Sequence, residues 1–321
     1  MGRPSIPERF ANKWRTWRKA ARLRSIRSRV QVDGAKVLLL FAQPRGGSTW
    51  LEELIRTVPR TATIWEPLDV RHNPAFREIG FWWRQYIPEG EVWPEAEERF
   101  RHLFEGLMLS PYLTRTTDVD ELLAAERLIV KFVRGNLLLP WVVSRFTVPK
   151  PVLLVRHPCA VVSSQIKFGA WDSHALVPRP RPHRFDRFIE QYRAILDDIR
   201  TVEERQAAYW CIDHKHLLEH PENDRAWTTI TYEEMILRPE ATLNKVFQAW
   251  GIPVPNAALD RLRQPSSTTL AGSRVRDPKE QLRQWRTKLD DQQIGRILGI
   301  VDRFGIDLYD HTEMPRRTFT P

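Results

Sequence analysis

Residues 36–50, KVLLLFAQPRGGSTW, constrain the fold of this 321-residue chain more than any other stretch. Residues 37–42 are a short apolar run bounded by turn residues, which is typical of a buried parallel strand. Residues 43–47 break that strand, and Ser48 and Thr49 open a helix with apolar residues on one face. A strand, a glycine-containing turn and a helix N-terminus bring free backbone N–H groups and the helix dipole together. The stretch therefore predicts an anion site.

This turn differs from the phosphate loop of ATP- and GTP-binding proteins. The pattern G-x-x-x-x-G-K-[ST] falls on Ala42, Gly47, Ser48 and Thr49, so the first glycine and the lysine are both missing. Arg45 supplies a fixed positive charge instead, and the two hydroxyl groups supply further donors. A P-loop kinase stays open as an alternative enzyme, although the missing lysine counts against it.

The composition indicates a protein of the cytoplasm. A chain of 321 residues can form one large α/β domain or two small ones. No apolar run approaches the roughly 18 residues that span a bilayer, and the N-terminus lacks the apolar region of a signal peptide. The two cysteines, Cys159 and Cys211, suggest no disulfide framework, which favours a reducing compartment.

The positive charge is concentrated at the N-terminus. The net charge is +10, but residues 1–36 hold eleven Lys and Arg against two acidic residues, so the remainder of the chain is nearly neutral. Residues 8–30 can form a basic helix with one face made of Phe10, Trp14, Trp17 and Ala21. Such a helix can lie on an anionic membrane surface; a solvated tail and a tail docked on the body are the alternatives. Nucleic-acid binding is not expected, because the body offers no basic face.

Four more short segments, at residues 61–65, 128–133, 151–155 and 227–231, are predicted to be strands, and helical periodicity covers residues 185–218. Arg156 follows the strand at 151–155, and Ser164 lies eight residues later in the next helix. This second unit of strand, arginine, turn and helix predicts a second anion site. Two such units suggest a ligand with two separated phosphate-type groups.

Two charged residues stand out on the remaining strands. Glu66 follows the strand at 61–65, and Pro67 disfavours helix there, so the carboxylate is expected at the same sheet edge as the anion loop. Taken alone, Glu66 reads better as an ordinary solvated loop residue. Lys131 lies inside a buried strand, which is costly unless an anion pairs with it.

Taken together, the loop at residues 44–50 and the pair Arg156 and Ser164 resemble those of sulfotransferases that use 3′-phosphoadenosine 5′-phosphosulfate. The resemblance covers roughly residues 36–306 and includes residues 230–234 and 247–252. It implies a three-layer α/β/α fold with a parallel sheet of about five strands, similar to the P-loop NTPases. The resemblance implies a domain at residues 36–306, which leaves the basic segment as an N-terminal tail at 1–35 and a C-terminal tail at 307–321.

The resemblance assigns roles to individual residues. In the family, the loop binds the 5′-phosphosulfate, which here implies binding by Arg45, Gly46, Gly47, Ser48, Thr49 and Trp50. The Arg…Ser pair binds the 3′-phosphate, and a C-terminal basic loop assists, with Arg274 and Arg276 as candidates. No metal is implied.

The catalytic roles implied by the resemblance fall on Arg45, Glu66 and Lys131. Glu66-Pro67-Leu68 resembles the E-P-L element of carbohydrate sulfotransferases, so Glu66 is expected to be the base, with His72 as an outside alternative. Lys131 matches a strand lysine of the family, and Val133 stands where the cytosolic enzymes have a histidine. A hydroxyl acceptor on a glycan or glycolipid is implied. A non-catalytic nucleotide-binding scaffold of the same fold remains the non-enzymatic alternative.

Overall fold

Within the part of the chain that the structure describes, five parallel strands form one central sheet. The computed structural model describes residues 6–30, 32–169, 184–185, 187–262, 264–267 and 277–319. The strands are β1 (Val37–Ala42), β2 (Thr61–Trp65), β3 (Arg127–Phe132), β4 (Val152–Val155) and β5 (Thr228–Thr231). Their order is β2-β3-β1-β4-β5, with parallel pairing throughout. The strands predicted from the sequence are confirmed.

The central strand β1 shows why both faces of the sheet are covered. Successive side chains of a strand point to opposite faces. Val37, Leu39 and Phe41 join one hydrophobic core, whereas Leu38 and Leu40 join a second core on the other face. All five side chains are buried. The sheet therefore lies between two apolar layers, which is the three-layer α/β/α arrangement that the sequence predicted.

The helices that the structure describes alternate with these strands. They are α1 (Ile6–Ile26), α2 (Ser48–Ile55), α3 (Pro74–Glu78), α4 (Pro94–Phe104), α5 (Val119–Ala124), α6 (Leu139–Arg145), α7 (Pro158–Phe168), α8 (Arg187–Glu190), α9 (Arg193–Leu196), α10 (Val202–Leu218), α11 (Tyr232–Leu237), α12 (Pro239–Ala249), α13 (Asn256–Leu262), α14 (Pro278–Arg283) and α15 (Asp291–Arg303). The buried side chains of α7, α10 and α15 lie in the core that contains Phe41, and those of α2, α11 and α12 lie in the other core.

The helical stretch predicted at residues 185–218 is divided into the short helices α8 and α9 and the long helix α10. Thr201 begins α10 through a capping box: its hydroxyl accepts a hydrogen bond from the Glu204 N–H, and the Glu204 carboxylate accepts one from the Thr201 N–H. This local pairing favours a new helix start over a continuous helix. The helical periodicity of residues 185–218 therefore corresponds to three helices, the last of which starts anew after Thr201.

The chain after α15 returns to the body of the protein. Leu308 and Tyr309 are buried in the same core as α10 and α15. The Tyr309 hydroxyl donates a hydrogen bond to the Glu233 carboxylate at 2.7 Å. Among the described residues, none of the helices combines the length and apolar character needed to cross a bilayer.

Candidate active site

The turn after β1 has the conformation of an anion-binding loop. Arg45 and Gly47 have φ angles of 71° and 96°, in the left-handed region. A Cβ atom on Gly47 would lie 2.5 Å from the Tyr232 ring, so both the backbone angle and the neighbouring ring require glycine there. Gly47 is the N-cap of α2, and the first N–H groups of a helix have no partner within it. The loop thus presents these N–H groups at the carboxyl edge of the sheet.

The Arg45 side chain joins this loop to the second predicted anion site. Its Nε donates a hydrogen bond to the Ser164 Oγ at 3.0 Å. Its guanidinium lies 5.1 Å from the centre of the Phe168 ring. Burial lowers the pKa of Arg45, and the nearby Arg156 lowers it further. Two positive charges placed this close favour an anion between them.

Arg156 is fixed where β4 meets α7. Its Nη1 donates to the Arg45 carbonyl oxygen at 3.2 Å, and its guanidinium lies 4.1 Å from the centre of the Tyr232 ring. The Trp210 indole donates to the Arg156 carbonyl at 2.9 Å and fixes the backbone. The Arg156 Nε is buried and has no hydrogen-bond partner among the described residues. An unpartnered buried donor of this kind suits a bound anion.

Lys131 is buried at the end of β3, with 1% of its surface exposed. Its Nζ donates to the Thr49 Oγ1 at 2.9 Å and lies 3.7 Å from a Glu52 carboxylate oxygen. The ammonium also lies 3.3 Å from the centre of the Trp65 ring. Burial lowers the pKa of Lys131 to about 8, although the carboxylates of Glu52 and Glu66 oppose the shift. Glu52 is the anion that the buried lysine required.

Glu66 lies beside Lys131 at the same edge of the sheet. β2 and β3 pair so that Trp65 faces Lys131, and the Glu66 N–H donates to the Lys131 carbonyl at 3.0 Å. The Glu66 Oε2 accepts a hydrogen bond from the Arg134 Nη1 at 2.6 Å, and 17% of the side chain is exposed. Arg134 also approaches Asp69 to 3.7 Å. One carboxylate oxygen of Glu66 is thus held by arginine, and the side chain stays partly exposed.

A comparison with known families identifies the chain. The family model described as a sulfotransferase domain matches residues 36–302, most of the sequence. The chain belongs to the sulfotransferase family. Among curated proteins, none matches the chain significantly.

Solved sulfotransferase structures also resemble the chain. The sulfotransferase domain of the Synechococcus PCC 7002 olefin synthase has 16% sequence identity, with 87% of this chain and 97% of that chain covered and a TM-score of 0.48. The sulfotransferase domain from the curacin biosynthetic pathway has 14% identity, with 86% and 99% covered and a TM-score of 0.45. Mouse sulfotransferase SULT7A1, solved in complex with PAP, has 16% identity, with 90% and 89% covered and a TM-score of 0.43.

Two lysines extend the cationic part of this sulfotransferase site. Burial lowers the pKa of Lys288, and the positive charges of Lys167 and Arg156 lower it further. Neither lysine was predicted from the sequence. Lys288 is 132 residues from Arg156 along the chain, and no local pattern marks it. The predicted candidates Arg274 and Arg276 lie outside the described residues.

The histidines of this sulfotransferase have different surroundings. His72 stacks on Tyr112 at 4.7 Å between ring centres, and its Nδ1 lies 3.2 Å from Asp69. It therefore shares Asp69 with Arg134, close to Glu66. His157 is buried, burial lowers its pKa to about 4, and its ring bonds to the Asp310 carbonyl. In the described ranges, no group of three or more His, Cys, Asp or Glu is placed to hold a metal ion.

The residues of the site fit a nucleotide with two anionic groups. The loop N–H groups, Arg45, Arg156 and Ser164 are joined by hydrogen bonds from Arg45 to Ser164 and from Arg156 to the Arg45 carbonyl. The buried Arg156 Nε and the buried Gln165 Oε1 both lack partners among the described residues, and Gln165 bonds to the Pro44 carbonyl through its Nε2. Unpartnered polar atoms next to the loop are expected where a polar ligand binds.

Proposed function

We propose that this sulfotransferase moves a sulfuryl group from 3′-phosphoadenosine 5′-phosphosulfate to a hydroxyl group of a glycan or glycolipid. One observation supports the proposal: hydrogen bonds join the anion loop to Lys131 and Lys131 to Glu66 at one edge of the sheet. Thr49 of the loop bonds to Lys131, and the Lys131 carbonyl bonds to the backbone of Glu66. A donor anion on the loop and a base for the acceptor would thus lie on either side of the Lys131 ammonium.

In this proposal Arg45 and the loop N–H groups hold the 5′-phosphosulfate, and Arg156 with Ser164 holds the 3′-phosphate. The cations Lys167 and Lys288 add to the field around the second phosphate. Together these cations balance the negative charge of the bound nucleotide. Arg45 and the loop N–H groups also stabilise the charge that develops on the leaving 5′-phosphate oxygen. Fixed donors in a water-poor site are effective in this role because they need no reorganisation during the reaction.

The transfer step uses Glu66 and Lys131. Glu66 accepts the proton of the acceptor hydroxyl as its oxygen bonds to sulfur, while the bond between sulfur and the 5′-phosphate oxygen breaks. Lys131 faces the sulfuryl oxygens, whose charge it stabilises. In-line transfer of this kind depends mainly on positioning and charge stabilisation, as in phosphoryl transfer.

The proposed acceptor class rests on the surroundings of Glu66 and on the Glu66-Pro67-Leu68 element. The guanidinium groups of Arg71 and Arg134 each lie 5.1 Å from the centre of the Trp83 ring. An aromatic face beside guanidinium donors offers both apolar contact and hydrogen bonds, which suits the C–H faces and hydroxyl groups of a sugar.

The donor site is tested by calorimetric titration with 3′-phosphoadenosine 5′-phosphate, without metal. Wild type is expected to bind with micromolar affinity, and Arg156→Ala is expected to bind roughly 10–100-fold more weakly because a charge-assisted contact is lost. Arg225→Ala is the matched control, since Arg225 is exposed and lies before β5, at the opposite edge of the sheet. No binding by wild type, with MgATP bound instead, would contradict the donor assignment.

The base is tested with Glu66→Gln, assayed by transfer of labelled sulfate to a panel of glycan and glycolipid acceptors. We expect kcat to fall by about 10²–10⁴-fold with unchanged nucleotide affinity, because only proton transfer is removed. Glu126→Gln is the control, since Glu126 is half-exposed and precedes β3. Full activity of Glu66→Gln would rule out Glu66 as base, and nucleotide binding without transfer by wild type would favour a non-catalytic scaffold.

A further inference from the structure

Helix α1 precedes the segment that the sulfotransferase family model matches, which begins at residue 36. The helix spans Ile6–Ile26 and belongs to the segment that carries most of the net positive charge. The catalytic arrangement described above uses none of its residues. The exposed surface of α1 therefore has no role in the proposed sulfotransfer reaction.

One face of α1 is bound to the body of the protein. Leu23 and Ile26 are 2% and 5% exposed and belong to the main hydrophobic core. The Lys19 Nζ donates hydrogen bonds to the Thr114 and Thr117 carbonyls at 2.5 and 2.7 Å. These contacts fix the rotation of the helix about its own axis. We call this side, Lys19, Leu23 and Ile26, the inner face.

The opposite face of α1 carries two exposed tryptophans. Trp14 and Trp17 have relative exposures of 57% and 63%, the highest of any large hydrophobic side chain whose exposure the structure describes. Trp14 precedes Leu23 by nine residues, which at 3.6 residues per turn is about two and a half turns and places them on opposite sides of the helix. We call Trp14 and Trp17, with the Ala21 next to them, the outer face. The side chain of Phe10, predicted to share this face, lies outside the described residues.

Exposed basic residues flank the outer face. Arg18 follows Trp14 by one turn and its guanidinium lies 4.6 Å from the centre of that indole ring. Lys13 precedes Trp17 by one turn, and Arg24 follows it by two turns. Lys13, Arg18 and Arg24 are all exposed. Indole rings favour the boundary between the acyl chains and the headgroups of a bilayer, and the surrounding cations favour anionic headgroups. The outer face therefore matches an anionic bilayer surface.

We propose that the outer face of α1 binds an anionic phospholipid surface, with the tryptophans in the headgroup boundary and the flanking cations on lipid phosphates. The inner face stays packed against the rest of the protein. The helix can therefore bind the membrane and the enzyme at the same time. This surface is independent of the sulfotransfer site. It suits an acceptor that is itself borne by a membrane.

The experiment is co-flotation of the full-length protein with vesicles of phosphatidylcholine alone and of phosphatidylcholine with about 30% phosphatidylserine, near physiological salt. Wild type is expected to float only with the anionic vesicles. The double variant Trp14→Ser/Trp17→Ser is expected to bind at least tenfold more weakly, and Arg18→Glu/Arg24→Glu should also lose binding. Val92→Ser is the matched control, because Val92 is an exposed apolar residue outside α1 with 54% exposure.

Each outcome decides the proposal. Equal flotation of wild type and the double tryptophan variant would overturn it, as would absence of wild-type flotation with either vesicle. Binding to a duplex oligonucleotide that depends on Arg18 and Arg24 but not on the tryptophans, without vesicle binding, would assign the surface to nucleic acid instead. Unchanged circular dichroism and unchanged affinity for 3′-phosphoadenosine 5′-phosphate would show that the variants are folded, since none of the substituted side chains is buried.

Discussion

The ammonium group of Lys131 is buried, so the protonation of this lysine depends on the groups around it. Its pKa of about 8 results from burial, partly opposed by Glu52. If the ammonium stabilises the sulfuryl oxygens, kcat should decline as the pH rises through about 8, because the lysine becomes neutral. Glu52→Gln removes the opposing carboxylate, so the pKa falls further and the decline should move to lower pH.

The measurement is the pH dependence of kcat between about pH 6 and 10 for wild type, Glu52→Gln and the control Glu126→Gln. The Glu52 variant should leave the hydrogen bond from Lys131 to Thr49 possible, so nucleotide affinity below pH 7 should change little. Superimposable profiles for wild type and Glu52→Gln would show that Lys131 does not set the alkaline decline. The carboxylate of Glu52 also accepts a hydrogen bond from Thr63, so folding is checked by circular dichroism.

The partners of the site residues were harder to predict than the site residues themselves. Glu66 and Arg156 directly follow strands and Arg45 lies in the turn after one, so the sequence predicted all three at one sheet edge. Arg134, by contrast, contacts Glu66 across 68 positions of the chain. Glu52 was also missed, because on a helix it reads as an ordinary surface charge. Contacts between distant parts of the chain leave no local pattern.

At the scale of single elements, the turn between β1 and α2 is expected to require glycine at position 47. Gly47→Ala should place a methyl group against the Tyr232 ring and impose a left-handed backbone on alanine. Strain of this kind costs roughly 1–3 kcal/mol, and a displaced loop should also weaken nucleotide binding. Thermal unfolding and calorimetry measure the two effects. Gly90→Ala, where a methyl group meets nothing within 4 Å, should show neither effect, and wild-type behaviour of Gly47→Ala would mean that the turn is not rigid.

The strands and the helices around the sheet differed in how well the sequence predicted them. The strands β1 (VLLLFA) and β4 (VLLV) are runs of consecutive apolar residues because both faces of the sheet are buried, and that pattern is hard to mistake. The region after residue 185 instead contains the short helices α8 and α9, followed by α10, whose start depends on a side-chain cap. Thr201 and Glu204 form a cap that was visible in the sequence, but the helical periodicity on either side of it concealed the break.

On the scale of the whole molecule, the C-terminal segment contacts the residues that hold the backbone of the second anion site in place. The Glu233 carboxylate is buried between two donors: the His157 N–H at 3.0 Å and the Tyr309 hydroxyl at 2.7 Å. His157 follows Arg156 directly, and its ring stacks on Trp285 at 4.8 Å and contacts the Asp310 carbonyl. The backbone that presents Arg156 is thus held by Glu233, which is itself supported by the C-terminal Tyr309, while Trp285 and Asp310 contact the His157 ring.

Tyr309→Phe tests this support because it removes one hydroxyl without changing the ring. Glu233 would then be a buried carboxylate with one donor fewer, which costs about 1–3 kcal/mol, so Tm should fall by several degrees. The affinity for 3′-phosphoadenosine 5′-phosphate should weaken several-fold, because the turn at Arg156 and His157 loses part of its anchor. Arg317→Ala, which breaks a surface ion pair with Asp307 in the same segment, should change the free energy of unfolding by less than about 1 kcal/mol. If Tyr309→Phe lowers Tm but leaves nucleotide affinity intact, the C-terminal segment stabilises the fold without positioning Arg156.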